Sequence, residues 1–299
     1  MTLLHTLRAP AKLNFTLEVL DASSGGLHML RSVMVPIALY DEIRILLGTA
    51  SPGFTSSHAD LEKDNLIMRA LESLRVDLNA VGVHLLKHIP VGAGLGGGSS
   101  DAASILIAAS SGAFGNGGNN DFLSLAQTLG SDVPFFLTQT AALVEGSGER
   151  VTAIGALPPW WSVVVHPPVH VSTATAYAAL DVARAGRRQQ RRARRDSASL
   201  NAVSALQRAD FPAVQQLLSN DFQSIMSVRH APVREALDAL RVAGAQNPTL
   251  TGSGSCVFAL AQTQDEAQGI LTRLPLAATF RTYVAAFHHS PAWLSGAAT

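Results

Sequence analysis

The chain has 299 residues, 47% of them apolar, and its 22 basic residues balance its 22 acidic ones. This length favours two domains, and the zero net charge gives no reason to expect nucleic acid or an anionic membrane as the main partner. The one cysteine, Cys256, excludes an intrachain disulfide and a thiolate metal cluster. No apolar run approaches the roughly 20 residues of a membrane span, and Arg8 and Lys12 fall where a signal peptide has its apolar core. We therefore expect a cytoplasmic protein.

Strand and helix patterns are mixed along the first half of the chain. Residues 32–47 are rich in Val, Ile and Leu and predict a strand that Pro36 breaks, bends or confines to a sheet edge. Asp64 is a plausible N-cap of an amphipathic helix. Residues 83–89 predict a second strand, which leads into the glycine-rich residues 90–101.

The second half continues the mixture. Residues 122–129 predict a helix that Gly130 ends, and residues 131–134 predict a tight loop that leads into an apolar strand. Further helices are predicted over residues 199–208, 213–218 and 233–242, before a second glycine turn at residues 252–255. Strands and helices do not alternate strictly, which predicts an α+β fold rather than a doubly wound parallel sheet.

The glycine-rich segment has the order strand, turn, helix that is typical of an anion cradle. Five of its residues between 92 and 98 are glycine, and a helix is predicted to begin near Ser99 or Ser100. Glycine lets the backbone approach a phosphate closely, and a helix N-terminus offers unpaired N–H groups and a partial positive charge. The segment therefore predicts a nucleotide phosphate loop that uses backbone amides.

Three other structures could account for the glycine-rich segment, and each requires particular residues. Gly92, Gly94 and Gly97 satisfy G-x-G-x-x-G, but a dinucleotide fingerprint also needs an acid about 20 residues on, and Asp121 follows a glycine-asparagine loop. A Walker P-loop needs a lysine at the end of the loop, and no lysine follows Lys87. A turn required only for packing is the third alternative, although glycine costs roughly 0.5–1 kcal/mol relative to alanine wherever its conformation is not needed.

Residues 90–103, P-V-G-A-G-L-G-G-G-S-S-D-A-A, resemble the second motif of the GHMP kinase superfamily. The longer G-G-G-S-S-D-A-A form resembles the diphosphocytidyl-methylerythritol kinase branch in particular. Three other segments, residues 10–14, 64–70 and 130–136, resemble motifs of that branch, and residues 250–258 resemble the third motif of the superfamily. These five segments extend over most of the chain.

The resemblance implies a two-domain GHMP kinase fold, with domains over residues 1–155 and 156–299 and the active site in the cleft between them. It implies transfer of a phosphoryl group from ATP, with Mg²⁺, to the 2-hydroxyl of 4-diphosphocytidyl-2-C-methyl-D-erythritol, a step of non-mevalonate isoprenoid synthesis. Two alternatives stay open: a GHMP kinase with another acceptor, such as homoserine or a mevalonate derivative, and a non-catalytic nucleotide- or sugar-binding regulator on the same scaffold.

Roles for individual residues follow from the same resemblance. Asp132 is the expected general base or hydroxyl orienter, and Lys12 is the expected cation beside it. The residues expected to hold ATP are Asn65, Pro90, Gly92, Gly94, Leu95, Gly96, Gly97, Gly98, Ser99 and Ser100, with Gly252 and Gly254 in a backing turn. Those expected to bind the acceptor are Asn14, Leu27, His28 and Tyr177. From the residues alone, a turn residue is the favoured interpretation of Asp132, since Asp-x-Pro is common in turns.

Two segments depart from the pattern of that branch. Residues 25–28 read G-G-L-H where the branch has D-G-Y-H, so Leu27 replaces the tyrosine assigned to stacking on cytosine, and Tyr177 is the aromatic expected to cover the base. Residues 184–195 hold seven arginines and predict an exposed insert. A phosphate- or nucleic-acid-binding patch is the alternative there, although no interleaved aromatic offers a stacking surface.

Overall fold

The fold was taken from a computed structural model, which describes residues 2–22, 28–47, 53–62, 65–114, 120–185, 197–288 and 294–295. The strands in these ranges are β1 Thr2–Ala22, β2 His28–Leu47, β3 Gly53–Ser56, β4 Val81–Leu86, β5 Ala141–Gly146, β6 Arg150–Gly155, β7 Trp161–His166, β8 Ser219–Asn220, β9 Thr249–Leu250, β10 Val257–Ala261, β11 Arg281–Ala286 and β12 Leu294–Ser295. The helices are α1 Leu66–Ser73, α2 Gly97–Ser110, α3 Phe122–Leu129, α4 Val133–Leu137, α5 Thr173–Ala185, α6 Ala198–Gln207, α7 Phe211–Leu217, α8 Gln223–Arg229, α9 Ala231–Val242 and α10 Gln264–Thr272.

Two sheets organise these elements. The first has the order β12-β1-β2-β4-β3, with β5 joining β2 to β6 and β8 pairing in parallel with β1. The second sheet has the order β11-β7-β10-β9 and pairs antiparallel throughout the described strands. Helices accompany both sheets without a βαβ alternation, which confirms the predicted α+β class. No helix among the described residues is both long and apolar enough to cross a membrane.

The change from one sheet to the other falls between β6, which ends at Gly155, and β7, which begins at Trp161. The second half nevertheless returns to the first sheet, because β8 and β12 both pair with β1. The division into residues 1–155 and 156–299 stays a prediction. What the topology establishes is that β1 contacts elements from both ends of the chain.

Buried apolar residues fix α2 in its place behind the first sheet. Its residues 102, 103, 105, 106, 108 and 109 are all apolar and buried, so the helix is covered nearly all round. It packs against α1, α4 and β1. A helix that is apolar on every side belongs in a protein interior. Its N-terminus is therefore held rigidly at the glycine-rich loop.

Three local predictions need correction. Pro36 does not break β2, which continues through it. It lies between residues 30–34, which pair with β5, and residues 42–47, which pair with β4, so this point of the strand is locally an edge, as one alternative expected, and the missing N–H costs no ladder bond to either strand. Residues 133–137 form α4, where the end of a tight loop and the start of a strand were predicted, and Pro134 lies in the first turn, where a helix needs no N–H donor. The cap of α1 is Asn65, whose side chain accepts from the N–H of Met68, while Asp64 lies outside the described residues.

Candidate active site

The loop between β4 and α2 needs its glycines for close approach. Gly92, Gly94 and Gly96 have φ of 65°, 81° and 71°, a left-handed conformation that residues with a Cβ rarely adopt. A Cβ on Gly94 would collide with the carbonyl oxygen of Thr251, and one on Gly96 would lie 3.0 Å from both Lys12 Cγ and Phe136 Cζ. The loop is thus pressed against β1 on one side and the second glycine turn on the other.

This loop separates two cavities that share Gly92, Gly94 and Gly96 as wall residues. We call them the large cavity, of about 760 Å³, and the small cavity, of about 250 Å³. The large cavity is lined by residues of both halves of the chain, including Lys12, Asn14, His28, Asp132, Tyr177 and Gly252. The small cavity is lined by residues including Asn65, Leu66, Lys87, Pro90, Gly97, Gly98, Ser99 and Asp101.

Lys12 and Asp132 meet in the wall of the large cavity. Lys12 Nζ lies 3.6 Å from Asp132 Oδ2, and the lysine side chain is 3% exposed against 28% for the aspartate. Burial lowers the pKa of the Lys12 ammonium, and the Asp132 carboxylate counteracts part of that shift. Asp132 stands at the N-cap position of α4, but its side chain makes no capping hydrogen bond, so the carboxylate is left to face the cleft.

Asn14 ties the lysine to the second glycine turn. Its Oδ1 accepts from Lys12 Nζ and from the N–H of Gly252, at 2.8 Å for the latter. Its Nδ2 donates to Ser32 Oγ at 2.8 Å, and Thr251 Oγ1 accepts from its backbone N–H at 3.1 Å. The amide oxygen is therefore engaged within the protein, where it helps to hold Lys12 in position, and Asn14 also lines the large cavity.

An aromatic surface forms another part of the large cavity. The rings of His28 and Tyr177 stack with centroids 4.9 Å apart and planes 19° apart, and Tyr177 packs edge-on against Phe222. His28 Nε2 lies 3.1 Å from Asp181 Oδ2, which fixes the orientation of the imidazole. Leu27 lies outside the described residues, as do residues 186–195 of the arginine-rich segment. The first arginine of that segment, Arg184, lies in α5 and binds Asp221 Oδ2 at 2.6 Å.

The residues predicted to hold a nucleotide divide into two groups. Those in the wall of the small cavity are Asn65, Pro90, Gly92, Gly94, Gly96, Gly97, Gly98 and Ser99. Leu95 and Ser100 are instead fully buried behind the wall, and the carbonyl of Leu95 accepts from the N–H of Lys12 at 2.9 Å. The side chain of Asn65 is occupied in capping α1 and in donating to the carbonyl of Leu61. The helix begins at Gly97, two residues earlier than predicted.

Sequence reasoning missed one charged cluster behind the loop. Lys87 Nζ binds the carboxylates of both Asp41 and Asp101, and all three side chains are at most 4% exposed. The sequence did contain a sign of this cluster. Lys87 lies in the predicted apolar strand and Asp101 lies near the start of an apolar helix, and charged residues in such places need partners. Nothing in the sequence placed Asp41, about 50 residues earlier, beside them.

Comparison with known proteins gives two family matches. The model of the GHMP kinases N terminal domain matches residues 65–140, and that of the GHMP kinases C terminal domain matches residues 202–278. The 4-diphosphocytidyl-2-C-methyl-D-erythritol kinase of Citrifermentans bemidjiense is 37% identical over 279 residues, which cover 88% of this chain and 91% of that protein. The protein of the same name from Geobacter sulfurreducens is 38% identical with the same coverage.

Solved structures agree with these matches. A crystal structure of 4-(cytidine 5'-diphospho)-2C-methyl-D-erythritol kinase superposes with a TM-score of 0.75 at 30% identity and covers 95% of this chain and 100% of that one. A homoserine kinase from Cytophaga hutchinsonii has a TM-score of 0.62 at 20% identity, covering 97% and 96%, and shares the fold alone.

The chain belongs to the GHMP kinases, which makes it an ATP-dependent small-molecule kinase. Within that superfamily it belongs to the family of 4-diphosphocytidyl-2-C-methyl-D-erythritol kinases, whose members match it over most of their length.

Proposed function

We propose that the chain transfers the γ-phosphoryl group of ATP to the 2-hydroxyl of 4-diphosphocytidyl-2-C-methyl-D-erythritol, a step of the non-mevalonate (MEP) isoprenoid pathway. The observation that carries the proposal is the Lys12–Asp132 pair, at 3.6 Å, in a large cavity that a glycine loop separates from a smaller one. The names of the relatives support the choice of acceptor. Both substrates are charged and water-soluble, which supports a cytoplasmic enzyme.

The nucleotide occupies the small cavity in this proposal. The loop residues Gly97, Gly98 and Ser99 lie at the N-terminus of α2, where free N–H groups and the helix dipole favour a polyphosphate. Leu61, Leu66 and Ile67 give the opposite wall an apolar surface suited to a purine. Mg²⁺ enters with the ATP phosphates, because it retains waters and phosphate oxygens as most of its ligands.

The acceptor occupies the large cavity. Its volume of about 760 Å³ lies within the usual range for pockets that enclose a small molecule, and a cytidine-diphosphate-linked polyol needs the upper part of that range. The stacked pair His28 and Tyr177 offers an aromatic surface for the cytosine ring. The polyol end then lies toward Asp132 and the loop, which line the same cavity.

The chemistry is phosphoryl transfer by positioning and charge stabilisation. Asp132 accepts the hydrogen bond of the acceptor hydroxyl and aligns its oxygen with the γ-phosphorus. It takes the hydroxyl proton as the new P–O bond forms, while the bond from the γ-phosphorus to the β,γ-bridging oxygen breaks and ADP leaves with that electron pair. Before the reaction, the Lys12 ammonium stabilises the negative charge of the Asp132 carboxylate. During the reaction, it stabilises the negative charge on the phosphoryl group that is being transferred. Asn14 keeps the ammonium at this point through its contacts with Gly252 and Ser32.

The test is ADP release from ATP·Mg²⁺ with a panel of acceptors: the diphosphocytidyl polyol, homoserine and mevalonate. We expect turnover with the first acceptor alone. Asp132→Asn keeps the shape of the side chain but removes the base, and should lower kcat by roughly 10²–10⁴. Asp238→Asn, on the exposed face of α9, is the matched control and should leave kcat unchanged.

Two results would contradict the proposal in different ways. Turnover with homoserine or mevalonate, and none with the cytidine compound, would refute the acceptor while leaving the kinase site in place. Normal turnover by Asp132→Asn would refute the assignment of the base.

A further inference from the structure

A buried charged cluster lies behind the glycine loop, and the reaction described above does not use it. It consists of Asp41 in β2, Lys87 just after β4 and Asp101 in α2, with side chains 0%, 4% and 3% exposed. Lys87 Nζ donates to Asp41 Oδ2 and, at 3.0 Å, to Asp101 Oδ2. One ammonium thus serves two carboxyl groups whose side chains are almost fully buried.

The two carboxyl groups are not equivalent. Asp41 has both oxygens engaged, because its Oδ1 accepts from the N–H groups of His88 and Ile89 at 2.6 and 2.9 Å and its Oδ2 accepts from Lys87. Asp101 accepts from Lys87 at Oδ2 and is close enough to Asp41 to share a hydrogen bond with it once protonated, while its Oδ1 is buried with no hydrogen-bond partner. A buried carboxylate oxygen without a partner is costly, whereas a neutral carboxylic acid tolerates such a place far better.

This geometry favours Asp101 as the member of the cluster that holds a proton. Burial raises the pKa of Asp101 to about 8, with the Lys87 ammonium acting against the rise and the Asp41 carboxylate adding to it. Those two residues are the charged groups that act on Asp101. With the proton present, the cluster carries one positive and one negative charge. Without it, the cluster carries a net charge of −1.

The cluster lies directly beneath the loop. A Cβ built on Gly97 would lie 2.9 Å from Lys87 Nζ and 3.3 Å from Asp41 Oδ2. Lys87 and Asp101 are themselves part of the small cavity's wall, beside Gly97 and Gly98. A change of one unit of charge in this low-dielectric place acts on any polyanion held by the loop.

We propose that Asp101 is a positioning residue of the nucleotide pocket that works as a neutral acid. In this form Asp101 holds Lys87 in position beside the loop. The cluster of Asp41, Lys87 and Asp101 then has no net charge, so that the ATP phosphates bind above it. Loss of its proton places a negative charge under the phosphates and weakens binding. The inference rests on the proposed placement of ATP in the small cavity, and it predicts that the nucleotide draws a proton onto Asp101 when it binds.

The first measurement uses the unmodified protein and a non-hydrolysable ATP analogue with Mg²⁺. Calorimetric titration above about pH 7.5, where phosphate groups stay fully ionised, in two buffers of different ionisation enthalpy gives the number of protons taken up. We expect net uptake near pH 8.5 and a dissociation constant that rises with pH. If the protonated form alone bound, affinity would fall about 25-fold between pH 7.5 and 9.5, from the protonated fractions at a pKa of about 8.

The variant that isolates Asp101 is Asp101→Asn, whose amide has nearly the same shape and cannot titrate. This variant should take up fewer protons on binding the analogue than the unmodified protein does, and its dissociation constant should depend less on pH. Lys12, whose pKa burial lowers, is present in both proteins, so any contribution from it cancels in the comparison. Asp238→Asn, 59% exposed on the side chain, is the control and should behave as the unmodified protein does.

A third variant separates this inference from the placement of ATP. Gly98→Leu fills the small cavity, because a Cβ on Gly98 meets no atom within 4 Å and the residue lines that cavity. Suppose that Gly98→Leu abolishes analogue binding, while Asp101→Asn takes up as many protons as the unmodified protein and shows the same pH dependence of binding. ATP then lies where proposed, and the role of Asp101 is refuted. If Gly98→Leu binds the analogue normally, the placement itself is refuted. Should Asp101→Asn fail to fold, an unmodified protein that takes up no proton near pH 8.5 still overturns the proposal.

Discussion

Replacing Gly94 and Gly98, two glycines of the same glycine-rich segment, by alanine should have opposite effects on stability. Gly94 has φ +81°, and a Cβ there would collide with the backbone oxygen of Thr251, an atom that cannot rotate away. Gly98 is in the first turn of α2, and a Cβ there meets no atom within 4 Å. The two positions are four residues apart and the substitution is the same at both, so they form a matched pair.

The magnitudes follow from the two environments. Gly94→Ala incurs about 1–2 kcal/mol for a left-handed conformation and about 1–3 kcal/mol for overpacking, so the free energy of unfolding should fall by roughly 2–5 kcal/mol. Gly98→Ala replaces a helical glycine by the best helix former and should raise it by about 0.5–1 kcal/mol. The assay is urea unfolding, followed by fluorescence and circular dichroism.

Nucleotide binding gives the second half of the comparison. The methyl group at position 98 enters the small cavity, so Gly98→Ala should weaken binding of an ATP analogue although it stabilises the fold. A Gly94→Ala protein as stable as the unmodified one would refute the argument that this loop is glycine-rich for close packing against residues 251–254. A clear loss of stability in Gly98→Ala would refute the placement of that residue in open space.

Two further predictions concern groups away from the loop. Burial acts to raise the pKa of Glu18, but hydrogen bonds from Ser197, Ser199 and the N–H of Ala198 outweigh it, so the pKa lies below its ordinary value of 4.5. This carboxylate therefore stabilises the fold above about pH 4.5, and its contribution is lost as the pH falls through the folded-state pKa. Glu18→Gln should cost about 1 kcal/mol at neutral pH and flatten the dependence of stability on pH below 5, as measured by denaturant unfolding, and an unchanged slope would contradict this. Cys256 is fully buried in apolar surroundings, which raises the pKa of its thiol, so a thiol reagent should label the folded protein only at the rate of unfolding. Rapid labelling at neutral pH without denaturant would show that the thiol is accessible.

Local chemistry along the sequence determined several parts of the fold and site. The glycines at 92–98 and the apolar residues after them predicted a turn followed by a buried helix, because glycine adopts a left-handed backbone most readily and a helix that is apolar all round is stable in a protein interior. The mixture of strand and helix patterns predicted the α+β class correctly. Five short segments sufficed to identify the superfamily before any contact was known.

Local sequence patterns predicted the secondary structure incorrectly where contacts with distant parts of the chain determine it. Pro36 lies in a central strand because the two partners of β2 leave a gap beside it. Residues 133–137 have the apolar composition of a strand, yet they form a helix whose four buried side chains pack against α2 and α3. Periodicity cannot distinguish the two for so short a segment.

The arrangement of charge was decided by tertiary structure alone. Lys12 and Asp132 are 120 positions apart in sequence, and the fold brings them to 3.6 Å because β1 and α4 both pack against α2. Asp41, Lys87 and Asp101 come from three separate elements, and burial together is what leaves one carboxyl group neutral. A sequence fixes which groups can ionise, but the energy of a charge depends on the solvent and the charges around it, which exist only once the chain has folded.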